Sequence, residues 1–266
     1  MSVSSYTSLP QASDGFEWTD ESWGAALRCR PLSAIAPHLF TTRQLELSSP
    51  THLRELAAAV GARDVAMVTQ VHGREVVVVR TGASVPERRP EADVLISDAP
   101  DVAIAVRAAD CVPILMADRE RGVVAAVHAG WRGTAARAAV AAIDALGREF
   151  GTSPGNLVAA IGPNIGVCCY EVGPDLVDAF AAAGHERYLI DRWFLSPPPA
   201  RGSNERPTLR LDVARANIDQ LILAGVPEEQ IYSSGLCTAM HLDVLTSYRK
   251  EKDKAGRIAG VIRNKA

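Results

Sequence analysis

Six short β-rich runs crowd into one stretch of the chain, at residues 65–69, 75–79, 93–97, 102–106, 112–117 and 123–127. The connections among them are mostly too short to hold crossover helices. Neighbouring runs joined in this way are expected to pair as antiparallel hairpins. A seventh run follows at 157–161. Helical signals come in around these runs, later and less regularly. After Pro50, the residues Leu53, Leu56, Ala57 and Val60 recur at helical spacing before Gly61. Thr134 opens an Ala-rich helix with Val140, Ile143 and Leu146 on one side. Pro174 and Asp212 begin two more, closed by Gly184 and Gly225. Clustered strands with irregularly placed helices predict an α/β (α+β) protein, a mixed-sheet sandwich with flanking helices, over a doubly wound parallel sheet. With 266 residues the chain can bury a large core as a single domain, read here as 21–266. Residues 1–20, rich in Ser and Thr, read as a loose tail. The stretch 195–208, with three consecutive prolines, reads as an exposed loop.

Charge and cysteine usage narrow the function. The net charge of −3 provides no basic field, so nucleic acid is not expected as a partner. Five cysteines are too few for a disulfide framework and odd in number, which points to a reducing, cytoplasmic compartment. The N-terminal segment lacks the basic start and apolar block of a signal peptide. The most apolar stretch, 102–117, is interrupted by Arg107 and Asp110, so no membrane span is expected. Phosphate-binding loops of the G-x-x-x-x-G-K-[ST] and G-x-G-x-x-G kinds, the G-x-S-x-G elbow, H-E-x-x-H and C-x-x-C do not occur. Cys168 and Cys169 are adjacent and read as two ordinary buried thiols.

Three segments concentrate the remaining chemistry: Thr69-Gln70-Val71-His72-Gly73, Ala108-Ala109-Asp110-Cys111-Val112-Pro113 and His128-Ala129-Gly130-Trp131-Arg132-Gly133-Thr134. A tight turn centred between Arg119 and Glu120 pairs residues whose numbers sum to 239, which sets Cys111 opposite His128 at the open end of a hairpin. In a continuous strand Asp110 then points to the other face. His72, beside Gly73, sits at a turn or bulge that can aim it into a cleft. One thiolate and two imidazoles make a three-ligand zinc site with an open position. Their spacing fits no compact metal motif, and alone it favours a buried thiol with two satisfied imidazoles. The 130–134 turn, leading into a helix with Arg132, suits a phosphate or carboxylate, and equally a solvated glycine-rich turn.

Gln70-Val71-His72-Gly73, Ala109-Asp110-Cys111-Val112-Pro113 and Val127-His128-Ala129-Gly130-Trp131-Arg132-Gly133 together resemble the YfiH family, also called the laccase-domain or polyphenol-oxidase family. The likeness continues through Ile161-Gly162-Pro163, Tyr170-Glu171-Val172-Gly173, Leu211-Asp212-Val213, Cys237-Thr238 and Ser247-Tyr248-Arg249, in the family's order. One departure is Gln44-Leu45-Glu46-Leu47, where a glycine pair usually follows Phe40-Thr41-Thr42-Arg43. The resemblance implies a single domain similar to the Cys–His toxin deamidases, with zinc, or else copper, held by His72, Cys111 and His128 as metal-ligating and catalytic residues. It implies a purine nucleoside phosphorylase acting on adenosine, inosine and methylthioadenosine, with adenosine deaminase activity. Arg43, Gln70, Gly130, Arg132 and Gly133 are then candidates for phosphate and substrate, in a monomer with small-molecule partners only. Three alternatives stand beside it. They are a cysteine or zinc amidohydrolase acting on a peptidoglycan precursor, a copper-dependent phenol oxidase, and a non-enzymatic metal- or partner-binding module. The oxidase is the weakest. A trinuclear copper cluster needs several histidines beyond a blue-copper set, whereas the chain has six in all and no H-x-H pair. His38, His52, His185 and His241 read as surface or turn residues.

Overall fold

The structure is a computed structural model that describes residues 9–82, 85, 88–196 and 208–265. Its strands are β1 (Phe16–Glu21), β2 (Gly24–Cys29), β3 (His38–Thr41), β4 (Asp64–Met67), β5 (Val76–Val79), β6 (Val94–Ser97), β7 (Val102–Ala108), β8 (Val112–Asp118), β9 (Val124–Ala129), β10 (Leu157–Ile161), β11 (Phe194–Leu195), β12 (Arg210–Leu211), β13 (Ile231–Ser233) and β14 (Ile258–Ile262). The helices are α1 (Arg30–Ser33), α2 (Pro50–Ala59), α3 (Trp131–Ala135), α4 (Ala138–Phe150), α5 (Asp175–Ala182), α6 (Arg187–Trp193), α7 (Val213–Leu223) and α8 (Tyr248–Glu251). One six-stranded sheet runs β1-β2-β3-β14-β7-β4, and a second runs β13-β10-β8-β9-β6-β5.

The central strands of each sheet are buried on both faces, which is why they read as apolar runs without clean alternation. In β8, Leu115 and Ala117 pack toward the first sheet with Ile104 and Val106 of β7. Val112, Ile114 and Met116 on the opposite face pack with Ala142 and Leu146 of α4 and Ala216 of α7. The far face of the first sheet, with Met67, Ala103 and Ala105, is covered by Leu56 and Ala57 of α2. The result is four layers: helix, sheet, sheet, helix. The expected mixed-sheet sandwich with flanking helices is what forms.

The expected hairpins are mostly absent. Of the six runs, only β8 and β9 form one. β4 lies parallel to β7, and β5 parallel to β6. The short links 68–75 and 109–111 are arches that carry the chain from the first sheet to the second. In a sandwich a strand can change sheets through a few residues, so a short link does not imply pairing with its neighbour. The β8–β9 register also differs from the expected one, pairing Val112 with Ala129 and Pro113 with His128. The turn is longer than two residues. Asp118 Oδ1 accepts from the Glu120 and Arg121 amides, and Gly122 takes φ +60°, so residues 119–122 form the loop. The slip is two residues, and an even slip leaves every side chain on its face. Cys111 and His128 remain diagonal neighbours on one face.

Several helix boundaries follow the sequence signals. Asp212 caps α7 by accepting from Arg215 N at 2.9 Å, and Gly225 follows at φ +96°. The Ala-rich helix expected from Thr134 is instead split into α3 and α4 at Arg137, which sits at φ +61°. The Arg137 guanidinium donates to the Ala183 and Gly184 carbonyls, and these bonds support the left-handed turn. The tail expected through residue 20 is overturned from Phe16 onward. Phe16–Glu21 pairs along its length with β2, and Phe16 is buried against Phe40. Residues 1–8 lie outside the described residues. So does most of the loop expected at 195–208, whose flanks pair as β11 and β12. At the family departure, Leu45 and Leu47 are buried in the core under α2, and the Gln44 amide oxygen accepts from Ala25 N.

Candidate metal centre and its cavity

Two arches and one strand end build the site. His72 stands on the 68–75 arch, Cys111 at the exit of the 109–111 arch, and His128 near the end of β9. Their ligand atoms lie within 4.8 Å of one another. The two imidazole rings meet edge to face with centroids 5.0 Å apart. His128 is buried, Cys111 half-buried and His72 exposed to the cavity. Gly130 faces Cys111 across the hairpin end. A Cβ there would lie 2.7 Å from the Cys111 sulfur and 3.3 Å from the His72 ring, so only glycine keeps the cradle clear. We predict that Gly130→Ala lowers metal affinity with little loss of stability. Metal titration together with thermal melting checks this, and unchanged affinity would remove the steric argument.

The residue that organises the centre is Asp93, just before β6, which is fully buried. The β6–β9 register sets Val94 opposite Val127, and therefore Asp93 beside His128. Asp93 Oδ1 accepts from His128 Nδ1 at 2.8 Å and from His72 N at 3.0 Å. Its Oδ2 accepts from Gly73 N at 2.6 Å and Val71 N at 3.2 Å. One carboxylate thus fixes the His128 ring and the backbone that carries His72, which sits at φ +62°. With the Nδ1 proton held by Asp93, Nε2 of His128 is the nitrogen left able to ligate a metal.

The electrostatics agree with this arrangement. Burial alone would raise Asp93, but hydrogen bonds from His128, Gly73 and His72, with the His128 charge, hold it below the usual carboxylate range. Burial would likewise raise Cys111, yet hydrogen bonds and charge from His128 and His72 carry it down to about 6. Burial opposes a charge on His128, but its bonds to Asp93 and Cys111 and their charges raise it to about 9. Without metal, the centre is a thiolate beside an imidazolium between those two values. The donor set fits one metal ion: two imidazoles and a ready thiolate, a clear cradle, and a carboxylate orienting a ligand ring. A metal ion bound here would displace the His128 proton. At pH 7.5 its binding should therefore release about one proton from His128 and tighten as pH rises toward 9. Calorimetry in buffers of different ionisation enthalpy reads this directly, and zero proton release would contradict it.

The centre opens into a cavity of about 910 Å³. Gln70, Arg107, Gly130, Arg132, Tyr170 and Arg249 are among the residues that line it. Gln70 bonds both backbone groups of Arg107, at 2.9 Å and 2.7 Å, and so ties the first arch to β7. The Arg107 side chain turns into the cavity, where its Nε is buried without a hydrogen-bond partner. Burial, followed by the charges of Arg89 and Arg257, lowers Arg107 from its usual value. Arg132 lies over the Trp131 ring at 4.4 Å. Asp110, at φ +86°, turns away from the ligand atoms. Its carboxylate accepts from Thr238 Oγ1 and Arg249 N, both at 2.6 Å, and so fastens the far wall.

The other candidates fall elsewhere. Arg43 pairs with Glu251 at 2.9 Å, also donates to the Leu242 carbonyl, and does not line the cavity. Gly133 is buried within α3, where a Cβ would press on the Gly73 and His128 carbonyls at 3.3 Å. It packs α3 against the centre. α3 has only five residues, so the anion-binding potential comes from guanidinium groups more than from a helix end. His38 and His185 are buried, not surface residues, and their ring nitrogens bond backbone groups. The adjacent thiols also differ from expectation. Cys168 is exposed and Cys169 half-buried, and both approach Cys237.

A four-layer sandwich with a two-histidine, one-cysteine centre under a cationic cavity defines a class of metal-site enzyme scaffold. The chain belongs to the family described as multi-copper polyphenol oxidoreductase laccase, whose model matches residues 46–265. A purine nucleoside phosphorylase of Deinococcus radiodurans is 33% identical over 253 residues, covering 88% of this chain and 91% of that protein. One of Bacteroides thetaiotaomicron is 36% identical over 166 residues, covering 62% of this chain and 58% of that protein. An adenosine deaminase, RL5, from an unknown prokaryotic organism is 34% identical over 165 residues, covering 62% and 59%. Among solved structures, YfiH of Bacillus licheniformis superposes with a TM-score of 0.78 at 27% identity, covering 90% of this chain and 96% of that one. YlmD of Geobacillus stearothermophilus gives 0.77 at 29% identity, covering 94% and 99%. The multi-copper description does not match the donors here. Among the described residues, the groups able to hold a metal are this centre and the three-cysteine cluster, and neither supplies a histidine-rich trinuclear site.

Proposed function

We infer that this chain is a metal-dependent purine nucleoside phosphorylase that also deaminates adenosine, with zinc held by His72, Cys111 and His128. The observation that carries this reading is the cationic wall, with its buried and unpartnered Arg107 Nε, in the same cavity as the imidazole–thiolate centre. Relatives named purine nucleoside phosphorylase and adenosine deaminase support it. In phosphorolysis a phosphate oxygen bonds to C1′ of the ribose while the bond from C1′ to the base nitrogen breaks. The base takes that electron pair and needs a proton. Arg107 and Arg132 hold the phosphate dianion against the sugar. Gln70 keeps Arg107 in place through its backbone, and Asp93 keeps His128 oriented. Burial first, then the Cys111 charge, pushes the Tyr170 hydroxyl up to about 12, so it stays a hydrogen-bond donor to substrate. A bound zinc ion would supply Lewis acidity and an acidified water, which is what deamination requires.

Phosphate dependence tests the reading. With adenosine and phosphate, free base and ribose 1-phosphate should form beside inosine, and without phosphate only inosine should form. Free base appearing equally fast without phosphate would contradict it. Arg132→Ala should raise the phosphate KM about 10- to 100-fold, the loss of one charged hydrogen bond, with the fold intact because the side chain is exposed. An unchanged KM would place Arg132 outside the phosphate site.

The same geometry favours one rival. Cys111, His128 and Asp93 form a nucleophile–base–orienter row, which fits a cysteine hydrolase acting on an amide. His72 has no part in that row, whereas a metal ion uses it. Five free thiols suit a reducing cytoplasm. Among the described residues no helix is long and apolar enough to cross a membrane.

A further inference from the structure

We propose that Cys168, Cys169 and Cys237 form a second metal site, a three-thiolate site for monovalent copper. The three sulfurs lie within 4.8 Å of one another, and those of Cys168 and Cys169 are 3.6 Å apart. Sulfurs at the corners of a trigonal site, each about 2.3 Å from an ion, stand about 4 Å apart. The cluster therefore has nearly the size that a three-coordinate ion needs.

The surrounding chain holds it in that shape. The 164 strand end pairs with Cys237 as an isolated parallel bridge, through Asn164 N to Leu236 O and Thr238 N to Asn164 O. The Cys169 and Tyr170 amides both donate to the Gly166 carbonyl, which curls the cysteine pair back over that glycine. The Gly166 amide donates to the Cys237 sulfur at 3.2 Å, a bond that favours a thiolate. A Cβ on Gly166 would lie 3.3 Å from the Cys168 sulfur and 3.4 Å from that of Cys237, so glycine leaves the sulfurs room to converge.

The donor chemistry selects the ion. The group contains three sulfurs and no imidazole or carboxylate, and soft donors of this kind favour monovalent copper. Zinc in a structural site takes four protein ligands, and only three are present. Cys237 is buried, Cys169 half-buried and Cys168 exposed, so an ion can enter from solvent along the cysteine pair. A bound ion would clamp the segment carrying Ile165 and Tyr170, which line the catalytic cavity.

The test uses the reduced full-length protein, with zinc in the His72–Cys111–His128 centre, titrated anaerobically with monovalent copper against a colorimetric copper chelator. Wild type should withdraw one equivalent, and copper-edge X-ray absorption should show sulfur ligands without nitrogen. Cys168→Ser and Cys237→Ser should each weaken retention at least about 10-fold, while His72→Ala keeps it. Cys168 is exposed, so its variant stays folded, and a thermal melt verifies this. The proposal is overturned by no uptake in wild type, by unchanged retention in Cys168→Ser, or by zinc occupying the cluster in place of copper. Mixed sulfur and nitrogen ligation lost in His72→Ala would place the copper in the catalytic centre and also overturn it.

Discussion

Replacing Asp93 with alanine is expected to destabilise the protein by about 3–5 kcal/mol, the cost of removing one partner of a buried, hydrogen-bonded charge pair. Four donors lose their acceptor at once: the amides of Val71, His72 and Gly73 and the Nδ1–H of His128. Against a total stability of roughly 5–15 kcal/mol, this is a large share. Urea unfolding measures it. The more conservative Asp93→Asn keeps the shape and one acceptor oxygen but cannot serve both the arch and the ring as a carboxylate does. It should fold, and hold zinc about 10- to 100-fold more weakly. A stable Asp93→Ala with wild-type metal affinity would show that the arch and the ring are positioned by something else.

The second large effect concerns Cys111. Cys111→Ala should reduce zinc from about one ion per chain to near none, and phosphorolysis to background, while the metal-free protein melts lower because the buried His128 imidazolium loses its thiolate partner and keeps only Asp93. The side chain is half-buried at the cavity edge, packed against the core between the sheets. Elemental analysis and product assays on the same preparation read both effects. Equal zinc in the two proteins would exclude Cys111 as an essential ligand. Retained zinc with lost activity would favour the cysteine-hydrolase row.

Much of this was legible in the sequence, and the reasons for the gaps are physical. The mixed-sheet sandwich with flanking helices could be anticipated because clustered apolar runs are flanked by helix-spaced residues with clear caps at Asp212, Gly61 and Gly225. The pairing could not, because the length of a link does not say whether a strand stays in its sheet or crosses to the other. Cys111 and His128 came together despite a misplaced turn, since a two-residue slip conserves the face. Asp93 was missed as a site residue. Its partners meet it only through the β6–β9 register and the 71–73 arch, and neither has a local signature. Arg107 did leave a trace, as a charge interrupting an otherwise apolar run. The trace was read as an argument against a membrane span, although a charge in a buried strand also marks a cavity. Arg43 misled because its salt bridge to Glu251 joins residues far apart in the chain. The cluster of Cys168, Cys169 and Cys237 was equally hidden, because it depends on the bridge between Asn164 and Cys237.

The central claim is that Cys111 works as a metal ligand beside His72 and His128. Brief iodoacetamide treatment of the zinc-loaded protein, with and without a chelator, followed by peptide mass spectrometry, tests it at the level of the single residue. A metal-bound thiolate is shielded, so Cys111 should stay unlabelled while zinc is present and become labelled quickly once zinc is removed, as a thiol carried down to about 6 should. Rapid labelling of Cys111 in the zinc-loaded protein, with activity lost and zinc retained, would contradict the account and make Cys111 a nucleophile.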